Sequence, residues 1–306
     1  MARVLVTGAA GFVGRHAVPL LAAHGHEVIA VGRPGGGMPL PEGVRLIPCD
    51  LLQEESAAAL IAAHRPTHLL HLAWNVTPGK FWTDADNLDW VASSLRLFRA
   101  FAAHGGQRFV GIGSCAEYDW SHDFLSEGAT PLKPLTLYAK AKVAFASLIE
   151  HIGPELGVSV GWGRVFFLYG PGEKRGRLVS DVFASLLEGK PALVSHGRQQ
   201  RDFMHVADVA GAFVALFESP VTGGVNIATG DCRPLAEIIG AIADQVGRPD
   251  LVRLGAIAAR PDDPPRLAAD IRRLRDEVGF RPHFDLASGV ADTHRWWLAQ
   301  VPARTA

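Results

Sequence analysis

Along the first half of the chain, apolar residues come in short unbroken runs, each followed by a stretch with helical spacing. The first run, Val4-Leu5-Val6, has no polar face, which suits a strand of a parallel sheet covered by helices on both sides. The same pattern predicts strands over 27–31, 44–51, 67–73, 108–114 and 158–167. It predicts helices over 12–21, 54–63 and 87–103 and from residue 138 onward. After Phe167 the alternation loosens. Helices are expected there over 178–187, up to Phe217 and over 235–246, with short strands over 191–195 and 225–228. An extended linker over 259–265 and helical stretches around Ile271 and Ser288 complete the order, without repeats or low-complexity tracts.

The joint between the first strand and the first helix carries Gly8, Gly11 and Gly14 at three-residue spacing. Strand, glycine turn and helix together make a place for a dinucleotide pyrophosphate. Glycine lets the backbone approach, and the N–H groups at the helix start meet the negative charge. Gly8, Gly11, Phe12, Val13 and Gly14 are therefore candidate cofactor contacts. A ribose-binding acid is expected about 20 residues further on, but Gly32-Arg33 stands at that strand end. A small residue followed by a cation suits the 2′-phosphate of NADP; a solvated loop residue before the glycines at 35–37 is the other reading of Arg33. Asp50, followed by Leu51, ends the third strand, where its carboxylate can accept from an adenine amino group or cap the next helix. Ala73 ends the fourth strand and leaves room beside a cofactor. The aromatic loop 74–82 behind it is read as core packing or as a pocket wall.

Ser114 ends the fifth strand, and Tyr138 and Lys142, four residues apart, share one face of the helix that follows. An ammonium beside a phenol is expected to lower the phenol's pKa from about 10. Tyr138 could then exchange a proton near neutrality while Ser114 hydrogen-bonds the reacting oxygen.

Composition changes this picture little. The 306 residues allow about two average domains, or one large α/β unit with an appended lobe. A net charge of −1 gives no reason to expect nucleic acid or an anionic membrane surface. Cys49, Cys115 and Cys232 form neither a disulfide framework nor a metal spacing, and the 13 histidines show no paired motif, so no metal is expected. The N-terminal apolar run is too short for a signal peptide and no run is long enough to span a membrane. A cytoplasmic protein is the expectation.

Taken together, several motifs resemble the extended short-chain dehydrogenase/reductase family, the NAD-dependent epimerases, dehydratases and reductases of nucleotide sugars. They are Gly8, Gly11 and Gly14; Asp50; Ser114; Tyr138 with Lys142; Tyr169-Gly170-Pro171-Gly172; Arg201-Asp202-Phe203-x-His205-Val206-x-Asp208; and the 260–270 region. The resemblance runs nearly end to end. It implies an α/β fold with a Rossmann doubly wound parallel sheet, formed by 1–166 and a return segment 197–230. A smaller C-terminal substrate-binding lobe, 167–196 and 231–306, completes it. It also implies Ser114, Tyr138 and Lys142 as the catalytic set, the last two also touching the cofactor, and a nucleotide-diphosphate sugar as substrate. Arg201 and Arg260 match positions on the diphosphate; surface ion pairs with Asp202 or Asp262 are the alternative. Glu117 is read as a substrate contact or as the partner of a basic residue. Relatives of this kind are homodimers, joined through the helices that begin here near Asn87 and Tyr138.

Departures narrow the chemistry. The 4,6-dehydratases of this family carry an Asp-Glu pair after the catalytic Ser or Thr, where this chain has Cys115-Ala116. GDP-fucose synthases place an epimerising cysteine two residues after the Ser, where this chain has Ala116. Two activities fit what remains. One is reduction of a 4-keto or 4-keto-6-deoxy nucleotide sugar by NADPH, with Tyr138 as proton donor. The other is 4-epimerisation with retained NAD. Gly32-Arg33 favours NADP(H), and with it the reductase. A reductase of a non-nucleotide carbonyl is a further enzyme reading. A non-catalytic NADP-binding protein is the reading from another class, and the intact Ser114, Tyr138 and Lys142 speak against it.

Overall fold

In the computed structural model, which describes residues 1–35, 37–261 and 263–300, the first half alternates strand and helix. It contains β1 (Arg3–Thr7), α1 (Gly14–Ala23), β2 (Glu27–Gly32), β3 (Leu46–Pro48), α2 (Ser56–His64), β4 (His68–His71), α3 (Asp86–Ala103) and β5 (Arg108–Ser114). Next come β6 (Phe124–Leu125), α4 (Leu137–Ile152), β7 (Ser159–Val165), β8 (Phe167–Tyr169), α5 (Leu178–Leu187), β9 (Ala192–Leu193) and β10 (Gln200–His205). The chain continues through α6 (Val206–Glu218), β11 (Gly223–Ile227), β12 (Cys232–Pro234), α7 (Leu235–Val246), β13 (Val252–Arg253), β14 (Arg266–Ala269) and α8 (Leu286–Gln300).

Seven parallel strands form the main sheet, in the order β11-β7-β5-β4-β1-β2-β3. Strand order reverses between β1 and β4, so their carboxyl ends open a crevice, which is where ligands bind in doubly wound sheets. Successive β1 side chains enter different cores. Leu5 packs with Phe98, Phe101 and Phe145 of α3 and α4, whereas Val4 and Val6 pack with Val18, Phe213 and Phe217 of α1 and α6. Burial on both faces is why this strand carries no polar side.

The smaller sheet runs β12-β10-β14-β6, with β8 added beside β10. Helices α5, α7 and α8 pack around Phe183, Ile238, Ile242 and Val290 to form the lobe's core. The single strand expected over 158–167 is in fact two. It divides at Phe166, whose N–H donates to Ile227 O at 3.2 Å; β7 stays in the main sheet and β8 crosses to the smaller one. Segment 197–230 divides as well, because β10 pairs with β12 and β14 while α6 and β11 return to the main sheet. The region around Ile271 lies between strand β14 and a short π-helical turn at Arg273–Glu277. Among the described residues, no helix is long and apolar enough to cross a membrane.

Candidate active site

The glycine turn sits at the carboxyl end of β1, with Gly8 at φ +68°. A Cβ on Gly8 would lie 2.8 Å from Ala73 N, one on Gly11 2.9 Å from Gly8 O, and one on Gly14 2.2 Å from Gly8 O. The turn is folded onto itself and onto the end of β4, and a side chain at any of the three positions would open it. At the mouth of α1 the N–H groups of Phe12 and Val13 find no acceptor among the described residues. Bare backbone with free donors at a helix start fits a pyrophosphate. Beneath the turn, Thr7 Oγ1 and His71 Nδ1 are 2.8 Å apart and His71 Nε2 and Ser94 Oγ 2.9 Å apart, which ties β1, β4 and α3 together. Burial, reinforced by the charge of Lys142, drives the His71 pKa down to about 3, so the imidazole is neutral.

Arg33 is exposed at the end of β2. Asp50 accepts the Leu52 N–H at 3.1 Å and Gln53 Nε2–H at 3.2 Å, so it caps the turn that leads to α2. Leu51 beside it is buried, and its carbonyl accepts from the Ser93 hydroxyl.

Ser114 closes β5; its Oγ accepts the Ala116 N–H at 3.2 Å, and its hydroxyl lies within reach of the Tyr138 phenol. Tyr138 opens α4, which Thr136 caps by accepting the Ala139 N–H at 3.3 Å. The rings of Phe81 and Trp82 stand edge-on to Tyr138, with centroids 4.9 and 5.7 Å away. The Tyr138 N–H donates to Trp82 O at 3.2 Å. The end of the aromatic loop thus packs around Tyr138, while Trp90 stacks on Trp74 in the core behind it.

Lys142 shares the helix face as expected, but its charge is directed elsewhere. Nζ donates to Ile112 O at 2.7 Å and lies 3.8 Å from the centre of the Trp74 ring, against 5.9 Å for Tyr138. Burial pulls its pKa down to about 7, opposed by Glu117. The expected lowering of the phenol pKa is therefore corrected. Tyr138 is raised, by burial first and Glu117 second, and the Ser114 hydroxyl and Arg177 only partly offset this.

Glu117 is also corrected: it has no exposed surface and cannot meet a substrate. Its carboxylate accepts the Ser114 N–H at 2.8 Å, Trp162 Nε1–H at 3.1 Å and Arg164 Nε–H at 2.7 Å, so pairing with a basic residue is the reading that holds. Cys115 is buried beside Tyr118 and Phe166, and burial pushes its thiol up to about 12, which leaves no nucleophile there.

Arg201 does not pair with Asp202. Nη2 donates to Asp263 and to Pro264 O, both at 2.7 Å, and Nη1 donates to Gln200 O at 2.7 Å. Asp202 instead accepts the N–H groups of Thr229 and Gly230, at 2.9 and 2.7 Å. Asp262 lies outside the described residues. Arg260 is exposed on the same linker, and its carbonyl accepts the Asp263 N–H at 3.2 Å.

A glycine-turn cradle at the switch point and a Ser-Tyr-Lys set on β5 and α4 coincide with a sequence profile. The profile of the NAD dependent epimerase/dehydratase family matches residues 4–228. The chain belongs to that family. Within the NAD dependent epimerase/dehydratase family it is similar to the UDP-glucose 4-epimerase of Azospirillum brasilense, 25% identical over 96% of this chain and 91% of that protein. It is also similar to the dTDP-4-dehydro-6-deoxy-D-allose reductase of a Streptomyces species, 27% identical over 96% of this chain and 95% of that one. Among solved structures, MoeE5 in complex with UDP-glucuronic acid and NAD matches with a TM-score of 0.84 at 30% identity, covering 98% of this chain and 100% of that one. The chain is thus an NAD(P)-dependent enzyme with a Rossmann fold.

One residue of this site was missed in the sequence. Arg177, just ahead of α5 in the lobe, donates to Val76 O at 3.2 Å and holds its guanidinium 5.9 Å from the Phe81 ring. It reaches the loop whose rings pack on Tyr138. The signal was a basic run, Lys174-Arg175-Gly176-Arg177, directly after the turn at 169–172.

Proposed function

We propose that this enzyme reduces the 4-keto group of a 4-keto or 4-keto-6-deoxy nucleotide-diphosphate sugar, with NADPH as reductant. The observation that carries the direction is the end of β2, where Gly32 leaves room and an exposed Arg33 offers a cation to the 2′-phosphate of NADPH, the cofactor of a one-way reduction. Burial and Glu117 raise the Tyr138 pKa, so the phenol holds a proton that it can give. When bound, the nicotinamide supplies the hydride. Tyr138 holds the proton at its phenol oxygen for the developing alkoxide, and the Ser114 hydroxyl donates to that alkoxide oxygen and orients it. Phe81 and Trp82 shield the tyrosine ring from water. Gly8, Gly11, Phe12, Val13 and Gly14 hold the pyrophosphate, with Asp50, Leu51 and Ala73 beside the rest of the dinucleotide and Arg33 toward a 2′-phosphate. Arg201 and Arg260 take the sugar nucleotide's diphosphate, with Arg201 exchanging Asp263 for a phosphate oxygen.

A second reading, 4-epimerisation with retained NAD, is favoured by the epimerase among the relatives and by the NAD in the MoeE5 complex. Denaturing the purified protein and identifying released nucleotide, then titrating the emptied protein with NADPH and NADH, separates the two. An exchangeable site preferring NADPH supports reduction; NAD held at near-full occupancy overturns it. For the assembly, Leu88 on α3 and Leu148 on α4, 61% and 53% exposed, support a homodimer joined through these helices. Sedimentation equilibrium giving a monomer at micromolar concentration would remove that part.

A further inference from the structure

Glu117 carries a carboxylate into a place without solvent, on the single turn that follows β5 and Ser114. One oxygen accepts the Ser114 N–H at 2.8 Å, and the other accepts Arg164 Nε–H at 2.7 Å. Trp162 Nε1–H lies 3.1 Å from both. Room has been cleared for this arrangement: a Cβ on Gly113 would stand 2.6 Å from Glu117 Oε1 and 2.3 Å from Trp162 Nε1. Arg164 is braced in turn, its Nη1–H reaching Tyr118 Oη at 3.4 Å, while the Tyr118 hydroxyl donates to Asn226 Oδ1 at 2.8 Å. Gly113, Trp162 and Arg164 therefore converge on the acid that fixes the backbone of the serine.

A buried ion pair is a poor device for stability alone, since apolar residues of similar volume serve as well or better. Its placement needs another account. We propose that Glu117 is a positioning residue for the reaction, fixing Ser114 through its N–H and presenting a buried negative charge to Lys142 and Tyr138. The inference rests on reading Ser114, Tyr138 and Lys142 as the reacting set. Trp162 stands between the acid and the lysine, its Nε1–H on the carboxylate and its ring centre 5.8 Å from Lys142 Nζ, so the charge of Glu117 favours the ammonium on Lys142 and disfavours the phenolate on Tyr138. The other groups facing this pair are His71 from β4, which is neutral, Cys115, which stays a thiol, and Arg177 from the lobe. Arg164 from β7 is bonded to Glu117 itself.

Lysine side-chain NMR of the full chain reads the charge directly, with the Lys142 resonance assigned from its loss in Lys142→Met. In Glu117→Gln the Lys142 titration midpoint is expected to fall by about one pH unit or more. The alkaline limb of the reduction rate moves to lower pH with it, because both the ammonium and the phenol proton are lost sooner. kcat falls about tenfold or more while KM for the sugar nucleotide changes less than about threefold. Glu117→Asp keeps the charge without the reach, so it restores the midpoint and the limb but not kcat. If the single variant fails to fold, Glu117→Gln with Arg164→Met removes the ion pair as a unit; the Lys142 midpoint then moves less, because the positive charge goes with the negative one, but kcat still falls about tenfold, and an unchanged kcat overturns the proposal. An unmoved midpoint, or a loss of kcat equal at every pH, overturns the proposal. A midpoint that falls in a protein without turnover on 4-keto sugar nucleotides defeats the functional reading and leaves the charge placement standing. Turnover that depends on Tyr138 with an unmoved midpoint does the reverse.

Discussion

Ser114, Tyr138 and Lys142 stand on β5 and on the helix that covers it, whereas Arg201 and Arg260 stand on a lobe strand and an extended linker. The first group is buried or half-buried and held by backbone bonds, packed rings and a buried ion pair. Of the second, only Arg201 is buried, and its carboxylate partner Asp263 keeps 30% of its side chain exposed. The reacting end is fixed by a sheet with a core on each face; the anion end is attached through short strand pairs and a loop. On the proposed roles, chemistry would rest on the more firmly held part and recognition on the part attached by loops.

Tyr138→Phe should break the comparison most clearly. We expect turnover to fall by about 10²–10⁴-fold with dinucleotide affinity unchanged, as read by steady-state rates beside cofactor titration. Equal loss of both would mean that the two roles are not separable at this end. At the other end, Arg260→Ala should raise KM for the sugar nucleotide about tenfold and leave thermal stability unaltered, because its side chain is exposed. Arg201→Ala should raise KM similarly and also cost about 2 kcal/mol in denaturant unfolding, because three acceptors lose a buried donor. Identical stability in the two variants would deny that they differ in kind.

Lys142→Met sharpens the contrast through pH. The Lys142 pKa is depressed from its ordinary value of 10.5 to about 7, so between these values the unfolded chain binds the proton that the folded one has shed. Stability of the wild type should then rise between about pH 7 and about pH 10, by about 3–4 kcal/mol, and this rise should vanish in Lys142→Met. Chemical denaturation at three pH values tests it, and parallel curves for the two proteins would count against it. The smallest effect is expected at Arg33. Arg33→Ala should reduce the preference for NADPH over NADH by about tenfold or less without a change in Tm; an unchanged ratio would detach Arg33 from the cofactor.

Legibility in the sequence follows the same division. Strands β1, β2, β4 and β5 could be read because burial writes an apolar run, and Gly8, Gly11 and Gly14 because a Cβ there would clash; β3, at the sheet edge and without a buried residue, is only three residues of the stretch expected over 44–51. Strands such as β6, β9 and β13, two residues long, are too short to carry a period. The crossing at Phe166 was hidden because both sheets want the same apolar residues there. Glu117 was visible as an acid, but its partner Arg164 lies 47 residues on, in a strand whose spacing does not announce it. Spacing placed Tyr138 and Lys142 on one face and could not tell that Ile112 O and Trp74 would claim the ammonium.

The exchange between sheets at Phe166 bears on how such a chain can be recombined. The smaller sheet is entered at β8, left at the junction of β10 and α6, and entered again after β11, with β6 supplied earlier from between β5 and α4. A chimera that borrows the lobe of a relative therefore needs matched junctions at all of these places at once. A single splice near the middle of the chain would give a protein whose two sheets come from mismatched parents, so substrate range is better altered residue by residue on the loops than by transplanting the lobe whole.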